Sequence, residues 1–192
     1  MAFVGDAAAV GYGTVSRQLG VAAHYARLLS RRDCRGVEWS TAHFPGFTLH
    51  GAKEFLSHAW FWREVDEVVV IAGSGDAVGL MPVATWTRLL DEMLTTMRSR
   101  LPTAATITVA QIPPLELDPG VPPCVRRLIA AHAKDLNGAT RSVVDTHHGA
   151  RTVVLSEQSV TDLDQACDTG FSDLYLAWAR ALLAAEPCAE HG

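Results

Sequence analysis

Two aspartates and one histidine are the side chains in this sequence best suited to moving protons. Asp6 and Asp76 each end a segment that reads as a strand, and those strands are neighbours in the expected sheet order, so their carboxyls could approach one another. Partial burial of such a pair raises one pKa enough for general acid or base work near neutral pH. The competing reading is that each carboxyl only accepts hydrogen bonds within its own loop. His43 lies three residues before Gly46 at the end of another strand, where its ring could face the same pocket or be buried and satisfied. Ser74 and Ser172 bring hydroxyls without a base in reach, which makes them poor nucleophiles and ordinary loop hydrogen-bonding residues.

Other chemistries find little support. Gly11 and Gly13 lack both the full GxGxxG spacing and a P-loop lysine, so no phosphate cradle is expected. Cys34, Cys124, Cys167 and Cys188 show no CxxC spacing and are expected as small buried apolar groups. His50, His58, His147 and His148 read as solvated helix residues, and their spacings match no zinc pattern. Neither a metal nor a cofactor is implied.

Composition narrows the partners. The net charge is -5, and the 16 basic residues form no stripe that could track phosphates, which argues against nucleic acid. The apolar runs at 67–73 and 106–112 are too short to cross a bilayer, and the N-terminus has no basic segment or signal core. The expectation is a cytoplasmic protein with no membrane partner. With 48% apolar and 19% charged residues over 192 positions, one globular domain spanning 1–192 is expected, burying roughly 70% of its unfolded surface.

The elements that must hold the candidate residues alternate along the chain. Strands are expected at 2–5, 36–40, 67–72, 105–112 and 151–155, and helices at about 14–30, 49–62, 82–100, 124–147 and 171–185. The clearest strands are continuous Val/Ile runs without polar alternation, as in a parallel sheet covered on both faces. Repeated strand–helix order with right-handed crossovers gives a three-layer αβα sandwich on a five-stranded parallel sheet, flavodoxin-like in outline. Ligands of such sheets bind beyond the carboxyl ends of the strands. The proline-rich stretch at 113–123 is expected there as a stiff loop forming one wall of a cleft.

The segments at those positions are GDAAAVGYG at 5–13, AHFPGFT at 42–48, GSGD at 73–76 and, before the last helix, DTGFSD at 168–173. In order and spacing they resemble the blocks of the SGNH, or GDSL, hydrolase family of small α/β esterases and lipases, and the resemblance covers essentially the whole chain. The family's chemistry needs a nucleophilic serine in GDS, an oxyanion glycine, an asparagine in GxND, and an aspartate and histidine near the C-terminus. Carried over, the serine falls on Ala7, the glycine on Gly46, the asparagine on Gly75 and the last pair on Thr169 and Ser172, while Asp76 is kept. By the same resemblance Tyr12 sits near the cleft rim, and Phe44 and Phe47 flank Gly46 and could shape an apolar pocket.

A methyl group at Ala7 has no proton to release and forms no acyl intermediate, and losing one triad member typically costs about 10⁴ to 10⁶ in rate. The fold is therefore expected either as a non-hydrolytic acid/base enzyme of a biosynthetic pathway, using Asp6, Asp76, His43 and the Gly46 amide, or as a pseudoenzyme. The pseudoenzyme would bind a ligand or a protein partner, a second copy included. An engineered esterase with its serine removed is a further alternative. Replacing Ser, Asn and His by Ala, Gly and Ser enlarges the pocket without filling it, which favours a small-molecule ligand.

Overall fold

The computed structural model describes residues 1–58, 64–115, 121–155 and 171–186. Five strands, β1 (Ala2–Gly5), β2 (Ser40–His43), β3 (Glu67–Ile71), β4 (Thr106–Ala110) and β5 (Ala150–Val153), form one sheet in the order β2-β1-β3-β4-β5. Every pairing is parallel. Helices α1 (Val21–Asp33), α2 (Ala52–His58), α3 (Ser74–Val78), α4 (Val83–Arg100) and α5 (Pro123–Val144) lie in the connections between strands, and α6 (Phe171–Ala184) follows β5. The result is a three-layer α/β sandwich.

The period of two along each strand sorts its side chains between two cores. Ala2, Val4, Val68, Val70, Ile107 and Val109 face the cluster built with Trp86, Leu90, Leu94 and Leu136 of α4 and α5. Phe3, Val69, Ile71 and Ala110 face the other, built with Tyr25 and Leu29 of α1 and Trp178 and Leu182 of α6. β3 is buried along its whole length, which accounts for its unbroken EVVVI run.

Several boundaries differ from expectation. The second strand lies at Ser40–His43 rather than 36–40, because it is an edge strand whose register is set by β1, with Ala2 opposite Ser40 and Gly5 opposite His43. The first helix begins at Val21: Gly20 caps it, and a separate 3-10 turn at Arg17–Leu19 is capped by Ser16. The short helix α3 was not foreseen, having too few residues to show a period. Cys34 and Cys124 are exposed free thiols, not buried ones, Cys34 because it ends α1 in the left-handed region (φ 50°). Cys167 and Cys188 lie outside the described residues. Among the described residues no helix is long and apolar enough to cross a membrane.

At the far end of the sheet from the β-strand carboxyl termini, a polar network replaces apolar packing. Glu67, 6% exposed, accepts from Tyr25 (3.1 Å) and Thr108 (2.8 Å) and pairs with Arg151 at 3.1 Å. Tyr25 also reaches Glu186 at 2.9 Å, and Arg32 pairs with that carboxylate. A buried carboxylate is tolerable only with partners of this kind. Burial, and then the two carboxylates, push the Tyr25 hydroxyl well above its ordinary pKa, so it stays a donor.

Candidate functional site

The site is assembled from the turns at the carboxyl ends of the strands. After β1, the Asp6 amide donates to the Ile71 carbonyl at 2.8 Å, holding the turn against β3. That approach requires Gly5: its φ is +145°, and a Cβ there would lie 1.8 Å from the Ile71 oxygen. Asp6 then folds back on its own turn, one carboxylate oxygen accepting from the Ala8 amide at 3.0 Å and the other from the Ser74 amide at 3.4 Å. The residue beside it, Ala7, offers the methyl group in the position of interest.

After β2, Phe44 donates to the Gly5 carbonyl at 2.6 Å, and a 3-10 turn at Pro45–Phe47 follows, with Gly46 at φ 71° and Phe47 at φ 54°. After β3, α3 carries Ser74, Gly75 and Asp76. Asp76 accepts from the Leu49 amide at 3.1 and 3.3 Å, tying this turn to the preceding one. After β4, Asn137 of α5 clamps Ile112, accepting from its amide at 2.7 Å and donating to its carbonyl at 2.9 Å. The clamp fixes where Pro113, Pro114 and Leu115 begin.

These turns and α6 enclose a cavity of about 580 Å³. Of the residues singled out from sequence, Asp6, Ala7, Tyr12, Gly46, Phe47, Ser74 and Gly75 line it. Four others do not. His43 is exposed and stacks on Phe47 (ring centroids 4.9 Å apart), because the last residue of an edge strand turns its side chain outward. Phe44 is fully buried in the core against Phe55, so only Phe47 of the flanking pair shapes the pocket. Asp76 faces the Leu49 amide rather than the cavity, so the two aspartates do not combine there. Ser172 sits on the α1 side of α6. Thr169 lies outside the described residues.

Sequence reading missed Ala8 and the α6 residues Phe171, Leu174, Tyr175 and Trp178, which complete the lining. The 171, 175, 178 spacing marks one helix face, but nothing local says whether that face meets the core or a cavity.

Burial pushes the carboxyls of both Asp6 and Asp76 above the ordinary carboxylate range. The hydrogen bonds from Ala8 and Ser74 pull Asp6 part of the way back, and for Asp76 the Leu49 amide does the same while the charge of Asp6 adds to the rise. Burial likewise raises the pKa of Tyr175, whose hydroxyl donates to the Tyr12 carbonyl at 2.7 Å. Among the described residues, no acceptor meets the amide of Ala7 or of Gly46, leaving two N–H donors on residues that line the cavity.

A serine–histidine pair exists elsewhere. His24 Nε2 lies 3.1 Å from Ser172 Oγ, between α1 and α6. The other ring nitrogen faces Arg27 at 3.0 Å, where a catalytic triad would place a carboxylate. None of His24, His43, His50, His132, His147 and His148 lines the cavity, and no histidine falls between His148 and His191 in the sequence. Among the described residues no group of three His, Cys, Asp or Glu side chains could hold a metal ion.

No protein-family model matches the sequence, and comparison with curated proteins gives no match. Solved structures are similar in fold. An extracellular lipase from Streptomyces rimosus matches over 83% of this chain and 81% of its own, at 19% identity and a TM-score of 0.57. Phospholipase A1 from Streptomyces albidoflavus matches over 83% and 80%, at 16% identity and a TM-score of 0.56. A salicylyl-acyltransferase from a tetracycline biosynthetic pathway matches over 95% of this chain and 53% of its own, at 12% identity and a TM-score of 0.57. The chain shares the three-layer α/β fold of these structures.

Proposed function

We propose that this protein is a non-hydrolytic, small-molecule-binding version of the SGNH fold, holding an apolar ligand in its cavity without forming an acyl-serine intermediate. One observation carries the reading: the cavity is lined by the methyl group of Ala7, the position onto which the resemblance carries the nucleophile, and by none of the histidines whose side chains are described. Gly75, at the position of the family's asparagine, adds room rather than a donor side chain. Among the described residues the amides of Ala7 and Gly46 have no acceptor, which suits a ligand oxygen at that end of the cavity. A volume of about 580 Å³ is ordinary for a site that engulfs a small organic molecule.

A second reading, proton transfer to a bound ligand, rests on Asp6. It is the one carboxylate among the described lining residues, and burial raises its pKa. Its oxygens already accept from Ala8 and Ser74, so binding without catalysis is the better-supported form.

The test is to expose the purified protein to p-nitrophenyl acetate while following p-nitrophenol release and intact mass. With the exposed thiols of Cys34 and Cys124 blocked beforehand, the expected result is no burst and no acetylated serine. A burst of p-nitrophenol with an acetyl group mapped to a serine would overturn the proposal.

A further inference from the structure

The aromatic residues of α6 recur at 171, 175 and 178, steps of four and three that place them on one helical face. Their rings form a continuous series. Phe171 and Tyr175 stack with centroids 6.3 Å apart, Tyr175 and Trp178 meet edge to face at 5.5 Å, and Tyr12 continues the row by meeting Phe171 edge to face at 6.4 Å. All four line the cavity.

The row runs from solvent to core. Tyr12 is 68% and Phe171 46% exposed at the mouth, while Tyr175 and Trp178 are buried at 2% and 5%. Its outer half is built around a glycine: a Cβ on Gly13 would lie 2.2 Å from the Phe171 ring, so the ring can rest there only because no side chain exists. Its inner half is fixed by the Tyr175 hydroxyl, which donates to the Tyr12 carbonyl. Such a wall costs no rearrangement on meeting a flat ligand.

Charge on the ligand has no counterpart. Asp6 is the one charged side chain among the described lining residues, and both of its oxygens already accept backbone amides. We infer that the cavity selects uncharged aromatic compounds of two or more fused rings carrying one carbonyl oxygen, laid along the row from Tyr12 to Trp178. This inference rests on the non-covalent reading above. A planar ring system lies against the exposed rings of Tyr12 and Phe171 and meets what little surface Tyr175 and Trp178 present to the cavity, whereas an acyl chain of similar size must freeze its many torsions and gains none of that geometry. The carbonyl oxygen is left for the free amides.

The experiment compares methyl 2-naphthoate with methyl decanoate, which share the ester and differ in the body, by calorimetric titration of the full chain. The naphthoate ester is expected to bind about tenfold tighter. Phe171→Leu, which removes one ring of the row, should weaken binding of the naphthoate ester more than that of the decanoate ester and so shrink that advantage. Sodium 2-naphthoate, with the same rings and a carboxylate, should bind at least about tenfold more weakly than its methyl ester. The inference is overturned by equal or tighter decanoate binding, by Phe171→Leu weakening both esters alike, by preference for the anion, or by neither ester binding. Methanol release in the same samples would instead sink the non-hydrolytic reading, and the ring preference would then be read from the ratio of the two KM values.

Discussion

The Arg27 guanidinium lies 3.0 Å from Nδ1 of His24, and this contact decides what the imidazole can do for Ser172. A guanidinium has no lone pair to offer, so Nδ1 must be the acceptor and Nε2 must carry the hydrogen. That hydrogen faces Ser172 Oγ, 3.1 Å away. The ring therefore donates to the serine and has no free lone pair on that side to take its proton.

Burial, and then the charge of Arg27, hold the His24 pKa below its ordinary 6.5. Arg27→Ala should raise it, measured by the pH titration of the imidazole ring protons in NMR. The sign for stability follows. A histidine whose folded pKa is depressed contributes stability above 6.5 that is lost as pH falls toward the folded value, and Arg27→Ala should shrink that loss. An unchanged or lower His24 pKa in the variant would refute the part given to the Arg27 charge.

Adding a hydroxyl at position 7 alone should not create an esterase. Ala7→Ser places a nucleophile in a cavity lined by no described histidine, so p-nitrophenyl acetate hydrolysis should stay within about tenfold of the unmodified protein. A gain on the order of 10³ would mean that a base reaches position 7 after all.

Asp76 should matter to the fold rather than to chemistry. Asp76→Ala leaves the buried Leu49 amide without its acceptor and should cost about 1–3 kcal/mol, read from urea denaturation. Because burial raises the folded pKa values of Asp6 and Asp76 above 3.8, both ionise at a cost, so their contribution becomes less favourable as pH rises from 3.8 through the folded values. Asp76→Asn should therefore gain on the unmodified protein as pH is raised from about 4 to about 8. A difference that stays flat over that range would contradict the assignment.

Tyr25→Phe removes the hydroxyl shared by Glu67 and Glu186, leaving Glu67 with Thr108 and Arg151. A loss of about 1–3 kcal/mol in unfolding free energy is expected, with ligand affinity unchanged, since the network lies at the opposite end of β3 from the cavity. Weakened binding would show that the two ends are coupled.

Much of the site was legible because strand ends are legible. Asp6, Ala7, Gly46, Phe47, Ser74 and Gly75 all lie in the turns that follow β1, β2 and β3, and a parallel sheet gathers such turns on one rim whatever their side chains. What could not be read was direction. That Phe47 faces the cavity goes with the positive φ values at Gly46 and Phe47, which no composition encodes. Phe44 and Phe47 are the same residue type three positions apart, and one is core while the other is rim.

The sequence by itself determined the layers, through the period of two in the strands and the near-3.6 period in the helices, and it determined that no hydroxyl stands at position 7. The tertiary structure alone decided that α6 turns Phe171, Tyr175 and Trp178 toward the cavity and Ser172 toward His24, 148 residues away. Periodicity records that a face is apolar. Which surface that face meets is set by the phase of one helix against its neighbours, a relation among distant residues that no local pattern carries.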